Sequence, residues 1–258
     1  MGAGKAEASA LVEEGNRAFR HQAEEKELRR AIELFQRAFA IDPYYPGLGG
    51  QLGYAYYLLA DNVIPFEKED ERQDAYRLGR DYALKGLEAN GMMRDVLQKS
   101  GDLQDAIAFS TKDDLGAMYW AAINWGRWGE IEGILKLGLA IPKIKALNER
   151  VLELDESYSE YGVHRFFGAY WVKVPIGKDL EKSKWHFERS IEKAPHILLG
   201  KVMMAEYYAQ AMDDRPLFVN LLSEVLAVPE DPADPFILMN RGARRRAKEL
   251  LGQVDDIF

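Results

Sequence analysis

One short pattern narrows the folds open to this chain more than anything else in it: a small residue followed three positions later by an aromatic one. It stands at Gly53-x-x-Tyr56, Gly116-x-x-Tyr119, Gly168-x-x-Trp171 and Ala205-x-x-Tyr208, and a fainter version opens at Gly15. A second pattern alternates with the first. Segments 38–43, 151–156 and 190–195 end alike, and 86–91 and 225–230 are weaker copies. Ala31 and Phe35, Ser183 and Phe187, and Phe218 and Leu222 precede three of these endings at the same offsets. Small residues let two helices cross closely, and the large one fills the gap beside the crossing. Apolar residues elsewhere recur at helical spacing, as in Ala31, Ile32, Leu34, Phe35, Ala38 and Phe39, or Leu180, Trp185, Phe187 and Ile191. No long alternating pattern calls for a strand. The ten prolines, including Pro142, read as breaks between helices or as helix starts.

The alternation of two helix types is that of a tetratricopeptide (TPR) repeat, in which each hairpin pairs a first helix with a second. The second-helix anchors stand at residues 38, 86, 151, 190 and 225, so successive spacings are 48, 65, 39 and 35. All exceed the 34 of a regular array. The expectation is an all-α, irregular TPR-like helical-hairpin solenoid, one domain over residues 1–258. Its largest insertion falls at 92–141, and a capping helix closes it at about 234–254.

Charge and composition remove several function classes. There are 42 acidic and 34 basic residues, a net charge of -8, which opposes non-specific binding to nucleic acid or an anionic membrane. With no Cys there is no disulfide, thiolate metal site or cysteine nucleophile. No uncharged apolar run approaches the length that crosses a bilayer. Residues 1–15 hold no apolar core of a signal peptide. Gly4-Lys5 lacks the earlier Gly, the strand and the Ser or Thr that a phosphate loop needs.

The four histidines, at 21, 164, 186 and 196, are not spaced at i, i+3 or i+4, so no helical metal site is expected. His186 reads as a packed or surface His. Glu153, Asp155, Glu156 and Glu160 read as a solvated helix end rather than a cation site. No catalytic motif is visible and no cofactor is implied. Arg241, Arg244, Arg245 and Lys248 make one face of the last helix basic, which suits salt bridges or an acidic protein partner.

The aromatics say more. Thirteen of 29 sit on the expected first helices, which line the concave, binding side of such solenoids. Counted from the small residue, positions -3, +1 and +4 should face that side, while the +3 aromatics Tyr56, Tyr119, Trp171 and Tyr208 should be core. The selected residues are Tyr54, Tyr57, Asp113, Trp120, Arg165 and Glu206, with Asn124 one turn beyond Trp120. Tyr54, Tyr57, Trp120, Asn124, Arg165 and Glu206 are the candidate ligand cavity, in which Arg165 would hold a carboxylate. On this reading Trp120→Ala and Arg165→Ala weaken ligand binding and leave the fold largely intact. An open peptide-binding groove and a cryptic hydrolase are the rival readings.

Residues 116–130, 164–171, 177–195 and 205–209 are more specific than a generic TPR. The Trp-rich run Gly116–Glu130 is the most distinctive, and Leu217–Ala227 and the Arg-rich end finishing at Phe258 agree with it. Together they resemble the T-component family of TRAP (tripartite ATP-independent periplasmic) transporters, over roughly residues 10–258. That resemblance implies a non-enzymatic periplasmic accessory protein, often lipid-anchored, that associates with the substrate-binding P-component. It further implies self-assembly, with a trimer the first expectation, and a cavity or pore able to shelter a small apolar or organic-acid ligand. The signal segment and anchoring Cys of such a lipoprotein are not among these residues.

Overall fold

Glycines and alanines placed where helices cross, and large apolar residues between them, produce a chain of short helical hairpins. The structure is a computed structural model that describes residues 2–258. Among the described residues there are fourteen α-helices, short 3-10 and π segments, and no strand. Contacts divide the chain into two compact units, residues 1–155 and 156–258.

The first unit holds α1 (Gly2–Phe19), α2 (Glu25–Ile41), α3 (Leu48–Leu58), α4 (Glu69–Gly86), α5 (Gly91–Ser100), α6 (Leu103–Ile107), α7 (Leu115–Glu132) and α8 (Ile134–Leu154). A π segment, Leu59–Val63, continues α3. α1 packs on α2, α3 on α4, and α7 on α8, while α7 also lies against both α3 and α4. This three-helix junction depends on missing side chains. A Cβ on Gly50 would lie 2.5 Å from the Gly116 carbonyl carbon, and one on Gly49 would strike the Gly86 backbone. Side-chain caps start the smaller helices of the 92–141 region: Asn90 accepts from the amides of Met92 and Met93, and Asp102 from those of Gln104 and Asp105. Thr111 and Asp114 form a capping box just before α7.

The second unit holds α9 (Tyr158–Lys173), α10 (Leu180–Lys193), α11 (Leu199–Met203), α12 (Arg215–Ala227), α13 (Ile237–Gly252) and α14 (Val254–Ile257). A π segment, Met204–Ala209, follows α11. Its core joins Phe187, Val202, Phe218, Leu222, Val225, Ala243 and Ala247. Asn240 of α13 is buried: its Oδ1 accepts from the Leu198 amide at 3.0 Å and its Nδ2 donates to the His196 carbonyl at 2.9 Å. That side chain latches the last long helix onto the start of α11.

The anchor residues read from sequence are buried: Ala31, Phe35 and Ala38 in α2, Ser183, Phe187 and Ser190 in α10, Phe218, Leu222 and Val225 in α12. One contact recurs in both units. The Phe35 ring lies over Gly15, and the Phe187 ring lies over Gly168, where an added Cβ would stand 2.7 Å away. The chain is all-α, as its periodicity indicates. One expectation is corrected. Pro142 breaks nothing and sits inside α8. The stripe Ala140, Ile144, Leu147 and Val151 stays buried across it, whereas Pro142 and Gly138, the pair that loses its hydrogen bond, are exposed. The lost bond therefore falls on the solvent side, where water replaces it.

Candidate functional site

Three clusters carry the polar chemistry of the described residues. The first surrounds α3 and its π segment. The Tyr54 and Trp120 rings stack at 4.4 Å, the Tyr57 ring lies 5.1 Å from Trp120, and the Tyr119 ring meets it edge-on at 4.8 Å. Trp120 is 5% exposed and Tyr57 4%. Asn124, fully buried, donates from Nδ2 to the Gly53 carbonyl at 2.9 Å and to the Trp120 carbonyl at 2.7 Å. Its Oδ1 is buried without a partner and presses against Gly79, where a Cβ would come within 2.7 Å.

Below the rings lies a carboxylate that sequence reading passed over. Asp61, in the π segment, accepts from the Tyr76 hydroxyl at 2.7 Å and the Tyr57 hydroxyl at 3.1 Å, and pairs with the Arg127 guanidinium at 3.1 Å. Burial by itself would push its carboxyl up, but Arg127, the Tyr76 hydroxyl, Arg72 and the Tyr57 hydroxyl together hold it below the usual range. Burial and the Asp61 charge push both tyrosines up. Asp61 therefore stays ionised and the tyrosines stay protonated. A lone acid in the apolar run 58–64 was the available signal. Its partner Arg127 is too distant in sequence to be recognised.

The second cluster opens the second unit. Ser159, Glu160 and Tyr161 all have left-handed backbones, with φ of 53°, 53° and 55°. None is glycine, so together they cost several kcal/mol, on the order of 1–2 each. Arg165, 3% exposed, closes this turn: it donates from Nη2 to the Ser159 carbonyl at 2.9 Å, and from Nη1 to the Glu160 carbonyl at 2.5 Å and the Ser190 hydroxyl at 3.3 Å. Beside it runs a chain of contacts. Arg189 pairs with Glu156 at 2.7 Å, the other oxygen of Glu156 meets His164 Nε2 at 3.0 Å, and His164 Nδ1 faces His186 Nδ1 at 2.9 Å. Burial pulls His186 down to about 4, helped by the His164 and Lys182 charges. Burial pulls His164 down as well, against the opposing pull of Glu156. Both imidazoles are neutral at pH 7.

The third cluster is the basic face of α13. Arg241 pairs with Glu230 at 2.6 Å, and Arg244 donates to the carbonyls of Val228 and Pro229 at 3.2 and 2.9 Å. These contacts hold residues 228–230 against the helix. Arg245 and Lys248 are exposed.

The expected cavity residues thus fall into two groups. Tyr54, Tyr57, Trp120 and Asn124 come together in the first unit. Arg165 and Glu206 lie in the second, where Glu206 pairs with Arg246 at 2.5 Å rather than with Arg165. Asp113 is exposed just ahead of α7. Of the +3 aromatics, Tyr56, Tyr119 and Tyr208 are buried as expected, and Trp171 is half-buried. Tyr57, Trp120 and Arg165 are equally buried, because α7 lies across α3 and the 158–161 turn folds over Arg165. The acidic stretch resolves into separate pairs: Glu153 with Arg150, Asp155 with Lys112, Glu156 with Arg189 and His164, and Glu160 with His196. Among the described residues, no group of three or more His, Asp or Glu could hold a metal ion. No helix among them is long and apolar enough to cross a membrane.

A family model described as TRAP transporter T-component matches residues 50–258. That is most of the chain and includes both clusters around Asp61 and the histidine pair. The comparison with curated proteins returned no match. The chain belongs to the TRAP transporter T-component family.

Proposed function

We propose that this member of the T-component family docks the periplasmic substrate-binding P-component of its transporter through the solenoid surface. The observation that carries the reading is the family match over residues 50–258, which makes the chain an accessory component of a TRAP transporter. The finer assignments are part of the proposal: work in the periplasm, self-assembly as a trimer, and no catalysis. Arg241, Arg244, Arg245 and Lys248 are the proposed contact residues: Arg241, Arg245 and Lys248 are exposed, Arg244 is half-buried, and Arg241 and Arg244 hold the 228–230 loop beside them.

A small apolar or organic-acid ligand is the second element of the proposal. Tyr54, the half-buried ring on Trp120, is the aromatic such a ligand would meet first. Trp120, Tyr57 and Asn124 then shape the site from behind rather than lining it.

An affinity pull-down from periplasmic extract, read by mass spectrometry, tests the reading. Recovery of one solute-binding protein at near-equal stoichiometry supports it, and loss of that partner in an Arg245→Glu/Lys248→Glu double variant would locate the contact. Many weak partners would instead favour a peptide-binding scaffold.

A further inference from the structure

We propose that His164 and His186 form a proton-counting clamp on the left-handed turn Ser159–Tyr161, which stays closed when the pair takes one proton and opens when it takes two.

The argument is one of donors and acceptors. An ionised Glu156 can only accept, so the contact at His164 Nε2 requires a proton on that nitrogen. His164 Nδ1 is then a lone pair, and the 2.9 Å approach of His186 Nδ1 requires the proton to sit on His186. The outer nitrogen of the pair, His186 Nε2, is left as an acceptor. A first added proton goes there, or to His164 with a tautomer change in His186, and in either case one proton still lies between the two Nδ1 atoms. A second added proton puts N–H groups on both facing nitrogens. They repel at 2.9 Å, and the rings must part.

Parting the rings reaches the turn because the same residues hold it. Glu156, just before the turn, is anchored by Arg189 of α10 and by His164 of α9. Arg165, the next residue after His164, supplies the guanidinium that binds the Ser159 and Glu160 carbonyls. Three consecutive left-handed residues persist only while such contacts over-determine them. The rings are confined in turn: His186 stacks on Phe167 at 5.3 Å, and Trp185 stands edge-on to both imidazoles.

The charged neighbours set the sign. Arg165, Lys182 and Arg189 oppose each added proton, and Glu156 favours one on His164. Tyr161 lies 6.2 Å from the His164 ring. On the elements packed beside α9 and α10, Lys201 and Glu206 are engaged elsewhere, with Glu224 and Arg246. Glu160 of the turn also pairs with His196 at 3.2 Å, and a His196→Gln variant separates that contact from the His164–His186 pair.

The test is a pH titration of the whole protein between pH 7.5 and 3.5. Imidazole NMR signals are followed together with hydrogen exchange of residues 157–164 by mass spectrometry, corrected for intrinsic rates. Two coupled steps are expected. The upper step leaves protection of 157–164 unchanged, and the lower one speeds its exchange roughly tenfold before the other helices open. His186→Gln keeps a donor for His164 Nδ1 but takes no proton, and should abolish the lower step; His196→Gln should not. The same acceleration in His186→Gln would overturn the proposal, as would a loss of protection spread evenly over the chain. Should His186→Gln not fold, the wild-type titration decides: opening that tracks the first proton overturns the clamp.

Discussion

Replacing Trp120 by Ala separates two readings of the aromatic cluster. Were the indole a wall of an open cavity, its removal would lower ligand affinity and barely touch stability. In the structure it is 5% exposed, stacked on Tyr54 and bounded by Tyr57 and Tyr119. Trp-to-Ala truncation in a core costs about 3–5 kcal/mol. Three aromatic neighbours, each contributing roughly 0.5–1.5 kcal/mol beyond simple burial, put this site near the upper end. For a unit of this size the melting transition should fall by about 10–15 °C. Circular dichroism at 222 nm during heating and urea unfolding reads the effect, with Trp120→Phe losing less than half as much because a ring still meets Tyr54. A Trp120→Ala protein melting within about 2 °C of wild type would refute the packing argument and return Trp120 to the cavity wall.

Other substitutions probe the remaining contacts. Gly50→Ala forces a methyl into the Gly116 backbone and should cost about 3 kcal/mol or prevent folding, measured by the urea midpoint. Asp61→Asn removes the charge facing Arg127 and should cost about 3 kcal/mol at pH 7. Because the folded carboxyl of Asp61 is held below its ordinary value of 3.8, its stabilisation is present above about pH 4 and lost as the pH falls further. The gap between wild type and Asp61→Asn should therefore be flat from pH 8 to about 5 and narrow below 4. Arg165→Met leaves the Ser159 and Glu160 carbonyls without their donor; a loss of about 3 kcal/mol, with faster hydrogen exchange at 158–161, is expected, and Arg165→Lys should recover part of it.

The readings that held were local ones. Small residues at Gly15 and Gly168, large ones at Phe35 and Phe187, and the +3 aromatics Tyr56, Tyr119 and Tyr208 could be placed from spacing because a helix turns its faces at a constant rate. The resemblance of the Trp-rich run of α7 to the family was a matter of motif rather than of spacing, and the family match over residues 50–258 agrees with it.

What spacing could not place was anything decided by a second or third helix. The same periodicity that presents Tyr57 and Trp120 outward from one hairpin leaves them buried once α7 crosses α3 and α4. Asp61 meets Arg127, and His164 meets His186, across turns of chain that carry no period of their own. Pro142 sits mid-helix because its exposed side, a tertiary property, lets water take the lost hydrogen bond. By itself the sequence determined that helices form and where they cross closely, since those follow from backbone sterics and neighbouring side chains. Which faces close on one another, and therefore which polar groups are ionised, neutral or strained, was decided only by the tertiary structure, because burial and pairing are properties of several helices at once.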